Sequence, residues 1–244
     1  MRDLTINIIA GLLLSTAGAL AARGFEARRR RRRYGHLHLL TAGVRRIQIV
    51  VPSLNVDDFL PQGSSIRAMV PPNVRVMPMA EGGAIAQLVM TLSSVRNCTV
   101  QLVPQESFQD DADLTISVGG PSLNRVSGDL LGRCFPSFKL KYPEHVAMYG
   151  STTFAPAKGD DGALVEDYGF IASTTGTNGR KSLVLCGVWA LGTQIATTVL
   201  LSLPQHSEAR RALQEGRNFF AVAHATIKGL SQEDAQVVEV RRVP

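Results

Sequence analysis

Short continuous runs of apolar residues recur along the chain after residue 45, and most are followed by a turn and then by apolar residues at three- and four-residue spacing. Such short runs predict buried strands, whereas the longer periodic segments predict helices. The pattern predicts strands at 46–52, 74–79, 98–103, 114–118, 168–172, 182–186, 218–226 and 236–242. It predicts helices at 84–95, 124–133, 192–203 and 207–215, mixed loops and hairpins at 135–165, and a polar hairpin connection at 173–181.

The alternation of these strands and helices predicts the fold class. Continuous apolar strands separated by helices are typical of a mostly parallel sheet that is covered on both faces. We expect the final strands to add antiparallel edges to this sheet. The sequence therefore predicts one α/β domain over residues 46–244, a Rossmann-like three-layer domain with a mostly parallel sheet and antiparallel edge strands.

The first 22 residues follow a different pattern, because the 19 residues at 4–22 carry no charge. This length is just enough to cross a hydrocarbon core of about 30 Å, so we predict one transmembrane helix over residues 1–22. Gly11 and Ser15 have the spacing of small residues that permits helix pairing, and hence a homo-oligomer. The competing interpretation is a signal peptide cleaved after Ala19-Leu20-Ala21, which would give a secreted protein.

The charge of the chain is concentrated beside this apolar segment. The formal net charge is +6, but residues 1–45 contain nine arginines against Asp3 and Glu26, a local net of +7 that leaves −1 for residues 46–244. The six consecutive arginines from Arg28 to Arg33 predict contact with anionic lipid headgroups and retention on the cytoplasmic side. We therefore predict an arginine-rich juxtamembrane linker at 23–45, an N-terminus outside the cell membrane and a cytoplasmic domain, without a nucleic-acid partner.

The cysteines and histidines give no sign of a metal site. Cys98, Cys134 and Cys186 lie far apart in apolar segments without a CxxC spacing, which indicates free buried thiols in a reducing compartment. The closely spaced His36 and His38 fall in the juxtamembrane linker. No metal ligand set is predicted, and the sequence does not specify a cofactor.

Three glycine-containing loops precede predicted helices, which is where open α/β sheets bind their ligands. The candidate ligand-binding residues are Gly82 and Gly83 in the first loop, Gly119, Gly120, Pro121, Ser122 and Asn124 in the second, and Gly187, Gly192 and Thr193 in the third. Glycine lets the backbone approach a phosphate or ribose closely, and Arg180 is predicted to supply a charge clamp. The competing interpretation is that the glycines only form sharp turns and that Ser122 or Asn124 caps a helix. Because neither GxGxxG nor GxxxxGKS/T is present, ordinary dinucleotide and P-loop functions are disfavoured.

Candidate catalytic groups are fewer. Glu81, at a predicted helix start, is the candidate general base or ribose ligand, and the competing interpretation is a solvent-exposed partner of the helix dipole. Asp110, Asp111, Asp113 and Asp167 precede strands and are predicted to be solvated turn residues. Glu81 is therefore the single candidate for catalysis.

The segment DLTISVGGPSLNRVSGDLL, with DYGFI and SLVLCGVWALGTQIA after it, resembles uncharacterised Rossmann-like domains of membrane-anchored bacterial and archaeal proteins. The resemblance covers about residues 113–196, and in those domains a GGPxxN turn is followed by an AG…GT element. Gly119, Gly120, Pro121 and Asn124 match the turn, and Gly187, Gly192 and Thr193 match the second element, with Cys186 where an alanine is usual. The segment is also similar to nucleotide-sensing domains of bacterial conflict systems, which implies a nucleotide ligand at the glycine-rich loop.

These features predict a membrane-anchored cytosolic module that binds a nucleotide-like or other anionic small molecule, as a sensor or an assembly factor. The prediction depends on glycine loops at helix starts, on the lack of a clear catalytic set in the sequence and on the N-terminal anchor. Two alternatives stay open. One is a nucleoside or nucleotide hydrolase or glycosyl transferase that uses Glu81, and the other is a structural scaffold without a ligand.

Overall fold

The computed structural model describes residues 37–55, 75–95, 97–203, 207–229 and 231–242. The predicted transmembrane helix at 1–22 and the arginines from Arg28 to Arg33 lie outside the described residues. Within these ranges, no helix combines the length and the apolar character that crossing a membrane requires.

Helices and strands alternate through the first half of the described chain, and hairpins dominate the second half. The helices are α1 (Leu37–Leu40), α2 (Met79–Leu92), α3 (Arg125–Cys134), α4 (Ala190–Ser202) and α5 (Glu208–Gln214), with a 3-10 turn at Gln105–Ser107. The strands are β1 (Arg46–Val51), β2 (Leu54–Asn55), β3 (Arg75–Val76), β4 (Thr99–Pro104), β5 (Leu114–Val118), β6 (Phe138–Lys141), β7 (Val146–Tyr149), β8 (Thr152–Phe154), β9 (Ala157–Lys158), β10 (Leu164–Thr175), β11 (Lys181–Gly187), β12 (Phe219–Lys228) and β13 (Ser231–Arg242).

The central sheet has the strand order β13-β12-β10-β11-β5-β1-β4, and β9 pairs with β10. The four strands β11, β5, β1 and β4 are parallel to one another, whereas β10, β12 and β13 are antiparallel to their neighbours. The prediction of a mixed α/β fold with a mostly parallel core and antiparallel strands is confirmed. The antiparallel part follows from short connections, since a turn of a few residues joins antiparallel strands but is too short for a parallel crossover.

Both faces of the sheet are covered. On one face, α2 and α4 pack against the parallel strands. Their buried side chains include Leu88 of α2 and Ile195 and Leu200 of α4. On the other face, α3 and the small sheet of β6, β7 and β8 bury an aromatic cluster in which the rings of Phe138 and Phe170 lie 4.9 Å apart. All five residues of β5 are buried, as its continuous apolar run predicts for a strand covered on both faces.

The start of α2 differs from the prediction. The helix begins at Met79 rather than at residue 84, so Gly82 and Gly83 lie in its first two turns and not in a loop. A glycine destabilises a helix interior by only about 1 kcal/mol, which the packing of α2 on α4 offsets. At Gly83, an added Cβ would lie 3.6 Å from the Gln194 amide of α4, an ordinary van der Waals contact, so this glycine faces α4.

Candidate functional site

A cavity of about 190 Å³ lies at the carboxyl ends of β5 and β11, where a parallel sheet is expected to bind its ligand. Four segments meet there: the first turn of α2, the loop after β5, the hairpin between β6 and β7, and the loop from β11 into α4. The lining residues are Glu81, Gly120, Ser122, Leu123, Tyr142, His145, Gly187, Val188, Trp189, Ala190 and Thr193. The structure therefore brings together Glu81 and four of the predicted ligand-binding residues, which are Gly120, Ser122, Gly187 and Thr193.

The loop after β5 divides its residues between shaping the turn and lining the cavity. Gly119 has a φ of +92°, a conformation that glycine adopts without strain. Asn124 is buried and caps α3, because its Oδ1 accepts hydrogen bonds from the backbone N–H of Val126 at 3.0 Å and of Ser127 at 3.4 Å. Its Nδ2 donates to the Val118 carbonyl oxygen at 2.8 Å. Asn124 is thus a helix cap outside the cavity lining, the interpretation that competed with ligand binding.

Pro121 also lies outside the lining. Its ring packs against α3, where a Cβ added at Gly128 would lie 3.5 Å from the Pro121 Cβ. Gly120 and Ser122 are the residues of this loop that line the cavity. A Cβ added at Gly120 would lie 3.3 Å from Leu140 Cδ1 and 3.6 Å from the Tyr142 hydroxyl, so a side chain there would narrow the cavity.

The glycines between β11 and α4 allow backbone segments to cross at contact distance. A Cβ added at Gly192 would lie 2.1 Å from the Tyr168 carbonyl oxygen, and one added at Gly187 would lie 2.4 Å from the Trp189 carbonyl oxygen. Real Cβ atoms do not approach so closely, so both positions require glycine for packing. Gly187 and Thr193 line the cavity as well, whereas Gly192 lies outside the lining.

Asp167, on β10, is the group that holds this crossing together. Its side chain is fully buried, and its Oδ2 accepts a hydrogen bond of 2.6 Å from the Gly192 N–H. Its Oδ1 accepts from the N–H of Tyr168 at 2.8 Å and of Trp189 at 3.4 Å. The carboxylate therefore takes up amide donors at the N-terminus of α4, the position at which an anionic ligand is often bound.

Burial raises the pKa of Asp167 to about 7, against the opposing effect of its three backbone hydrogen bonds. The prediction of a solvated turn residue was wrong. Strand β10 begins at Leu164, four residues before the predicted start, so Asp167 lies within the sheet and pairs with Ala225 of β12. In contrast, Asp113 is exposed and accepts hydrogen bonds from the N–H groups of Arg45 and Arg46, as expected for a turn residue.

Glu81 lies in the cavity lining and is only 1% exposed. Its Oε1 is 3.5 Å from the Thr193 hydroxyl, and its Oε2 has no hydrogen-bond partner among the described residues. Burial raises the pKa of Glu81 to about 7, and the negative charge of Asp167 contributes to the increase. The alternative of a solvent-exposed dipole partner was wrong, because the first turn of α2 packs beside α4 instead of projecting into water.

Aromatic side chains form another part of the cavity wall. The rings of His145 and Trp189 stack with centroids 4.0 Å apart and an angle of 19° between their planes. The Tyr142 ring meets His145 edge-on at 5.8 Å, and the Lys158 ammonium lies 5.2 Å from the Trp189 ring centroid. These residues were missed from the sequence, because His145, Tyr142 and Lys158 fall in the region assigned to mixed loops and hairpins. The one signal was the position of the only tryptophan of the chain directly before a helix.

Three further candidates lie away from the cavity. Arg180 precedes β11, whose first residue pairs with the first residue of β5, so it is at the opposite end of the sheet. There its guanidinium donates to the Asp110 carbonyl oxygen, which corrects the prediction of a charge clamp at the site. Gly82 faces the Met77 side chain, and Gly83 faces Gln194, so the first glycine pair serves helix packing.

The described cysteines and the donor groups of the site do not indicate metal or thiol chemistry. Cys98, Cys134 and Cys186 are free, and burial raises the pKa of the Cys186 thiol to about 12, which keeps it protonated at neutral pH. No group of three His, Cys, Asp or Glu side chains in the described ranges is arranged to hold a metal ion.

The site can therefore supply a buried carboxyl group, hydroxyl groups and aromatic surface to one small group of a ligand. Glu81 and the nearby Asp167, which lies outside the cavity lining, both have a pKa near 7, so each exchanges its proton close to neutral pH. A comparison of the chain with protein-family models, with curated proteins and with solved structures finds no match.

Proposed function

We propose that the chain is a membrane-anchored module whose α/β domain, Rossmann-like and three-layered, binds a nucleotide-like small molecule and acts as a sensor or an assembly factor. One observation carries the proposal. Glu81 lines a cavity at the carboxyl ends of the parallel strands, and one oxygen of its buried carboxyl group has no partner in the described part of the chain.

A buried acceptor without a donor is unfavourable, and the great majority of buried polar groups in proteins are paired. Leaving one unpaired costs about 1–3 kcal/mol, and more when the group is charged. A ligand that donates a hydrogen bond to Glu81 would remove this cost. The His145 and Trp189 rings supply apolar area beside it, which suits a ligand with both polar and flat apolar surfaces.

The N-terminal sequence supports a location at the membrane. The uncharged segment at 4–22 is long enough to cross a bilayer, and the arginines from Arg28 to Arg33 favour the cytoplasmic side with anionic headgroups. Ligand binding by the domain would then be reported at the inner face of the membrane. Pairing of the anchors through Gly11 and Ser15 offers a route to assembly.

A second function, a nucleoside or nucleotide hydrolase or glycosyl transferase, is favoured by the pKa of about 7 at Glu81. General acids and bases are most effective when their pKa lies near the working pH. A Glu81→Gln variant separates the two functions. An enzyme would lose turnover and retain substrate binding, because glutamine keeps the shape and an acceptor oxygen but cannot transfer the proton.

The first test of the proposal is to purify the full chain from cells in a mild detergent and to identify small molecules that copurify by mass spectrometry. We expect a nucleotide-like compound to be released from the wild type and to be absent from a Gly120→Val variant, whose side chain would fill the cavity. Gly132→Val is the matched control, since an added Cβ at that exposed position of α3 meets nothing within 4 Å.

Thermal stability gives the independent measurement, because a ligand that binds only the folded state must raise the melting temperature. If neither copurification nor titration with common nucleosides and nucleotides reveals a ligand for the wild type, the domain is a scaffold. The glycine turns would then serve the fold alone.

A further inference from the structure

We infer that the ligand enters the cavity with an uncharged, hydroxyl-bearing group, its sugar, against Glu81, and that its anionic group stays at the rim beside Lys158. This inference rests on the proposed function, and it replaces the expectation of a phosphate held by the glycine loops. Four observations on the described residues support it.

Glu81 lines the cavity and the buried Asp167 lies behind its wall, whereas no lysine or arginine among the described residues belongs to the lining. Glu81 and Asp167 are both buried, and neither forms an ion pair with a lysine or arginine in the described chain. The electrostatic interaction between the two groups is unfavourable. A phosphate placed against Glu81 would add another negative charge close to these carboxyl groups in a poorly solvated space, where repulsion is strong.

The usual anion-binding device of this fold is already occupied. Free N–H groups at a helix N-terminus hold phosphates in many α/β proteins. At the N-terminus of α4, the N–H groups of Trp189 and Gly192 donate to Asp167 at 3.4 Å and 2.6 Å. The protein therefore supplies its own anion at this helix, and a ligand phosphate would have to compete with it.

Among the described residues, the groups that remain for a ligand are a carboxyl acceptor, the unpartnered Nδ1 of His145 and hydroxyls. The unpartnered Glu81 Oε2 lies in the same wall as the Thr193 hydroxyl, with the Ser122 hydroxyl on another loop of the lining. A ribose presents adjacent hydroxyls that both donate and accept hydrogen bonds. The size of a ribose also fits the cavity. A cavity of about 190 Å³ is smaller than a typical ligand site of about 300–1,000 Å³, so it takes only one part of a ligand.

Among the described residues, Lys158 places a positive charge beside the cavity but outside its lining. The exposed Lys158 places its ammonium 5.2 Å from the ring centroid of Trp189, which belongs to the lining. An anionic group that projects from the cavity mouth would meet this ammonium. The charges of the site thus run from a carboxyl interior to an ammonium rim, and a nucleotide matches them with its sugar inside and its phosphate outside.

The only tryptophan of the chain lines the cavity, so its fluorescence reports occupancy directly. We would titrate the full chain in detergent with the four ribonucleosides, their 5′-monophosphates, 2′,3′-dideoxynucleosides and inorganic phosphate. At least one ribonucleoside should change the fluorescence, and its monophosphate should bind several-fold more tightly. The dideoxy form should bind at least tenfold more weakly, and phosphate should neither change the signal nor compete.

Three variants assign these effects to residues. Lys158→Ala should abolish the difference between nucleoside and monophosphate. Glu81→Met, which keeps the volume but removes the acceptor, should weaken both ligands about tenfold or more, and Glu81→Gln should restore most of the affinity. Melting temperatures without ligand that do not fall below the wild-type value would show that the losses of affinity are local.

The other outcomes are distinguishable. A ligand that binds equally well without its sugar hydroxyls, or that inorganic phosphate displaces, would overturn the sugar-first orientation while the binding function stands. An unchanged fluorescence with every nucleoside and nucleotide would overturn both the orientation and the nucleotide-binding function.

Discussion

At the scale of single residues, Glu81 is a carboxyl group that the fold removes from water without giving it a cation. Its pKa rises from 4.5 to about 7 on folding, so between these values the folded state holds a proton that the unfolded state has released. The free energy of unfolding must therefore decrease as the pH rises through this window. The full penalty, of the order of 3 kcal/mol, is present above pH 7.

A Glu81→Gln variant removes this penalty. We expect urea unfolding of the full chain to give a free energy higher than that of the wild type by about 1–3 kcal/mol at pH 8, and nearly unchanged at pH 4.5. Some pH dependence should persist, because the pKa of Asp167 is raised in the same direction. An equal gain at both pH values would contradict the assignment, since glutamine would then act through packing and not through charge.

The residues of the site differ in how far the sequence could predict them. The Gly119 turn and the Asn124 cap depend on neighbours within a few positions, so local chemistry offered them as the alternative to ligand binding. Asp167 was assigned to solvent because its role depends on β12 and on the start of α4, both distant in sequence. Burial and pairing that come from tertiary contacts leave no local pattern.

At the scale of elements, the approach of α4 to β10 and β11 determines the geometry of the cavity. Gly169, Gly187 and Gly192 meet there, and a Cβ on any of them would lie within 2.5 Å of a backbone atom of another segment. The helix N-terminus can therefore reach Asp167 only while these positions lack side chains.

We expect Gly192→Ala to lower the free energy of unfolding by at least about 2 kcal/mol, because the methyl group must displace backbone atoms. Gly132→Ala is the control, since this exposed glycine of α3 has free space around it and alanine favours helix by up to about 1 kcal/mol. Denaturant unfolding of both variants measures the difference. Equal stability of Gly192→Ala and the wild type would mean that α4 can move away from the sheet.

The burial and the strand pairing of each element explain which elements were predicted well. The strands β1 and β5 are rich in β-branched and apolar residues and are largely buried on both faces, so their sequences delimit them within one residue. In contrast, β10 and β13 extend several residues beyond the predicted ends, through polar residues such as those at the start of β13. These hairpin strands continue through solvent-exposed residues because they pair with a neighbouring strand, and not because those residues are hydrophobic.

At the scale of the whole molecule, the charge distribution predicts the membrane orientation. We expect the domain to be resistant to protease in intact spheroplasts and to be degraded in inverted vesicles, because the arginines from Arg28 to Arg33 stay on the cytoplasmic side. Replacing these six arginines by glutamine should reduce the protected fraction several-fold. An intact mass that corresponds to cleavage after Ala21 would instead establish the secreted alternative.

The two halves of the central sheet are connected in different ways, and β11 joins them. It pairs with β10 across a short hairpin turn, but with β5 only after α3 and the small sheet have been traversed. Pairing with β5 closes a long loop of chain, which is entropically unfavourable and slow compared with hairpin formation. Because the cavity wall combines Glu81 of α2 and residues that follow β5 with residues that follow β11, neither half forms the cavity alone. The cavity is therefore complete only when both halves have joined, so a nascent chain that ends before α4 cannot contain it.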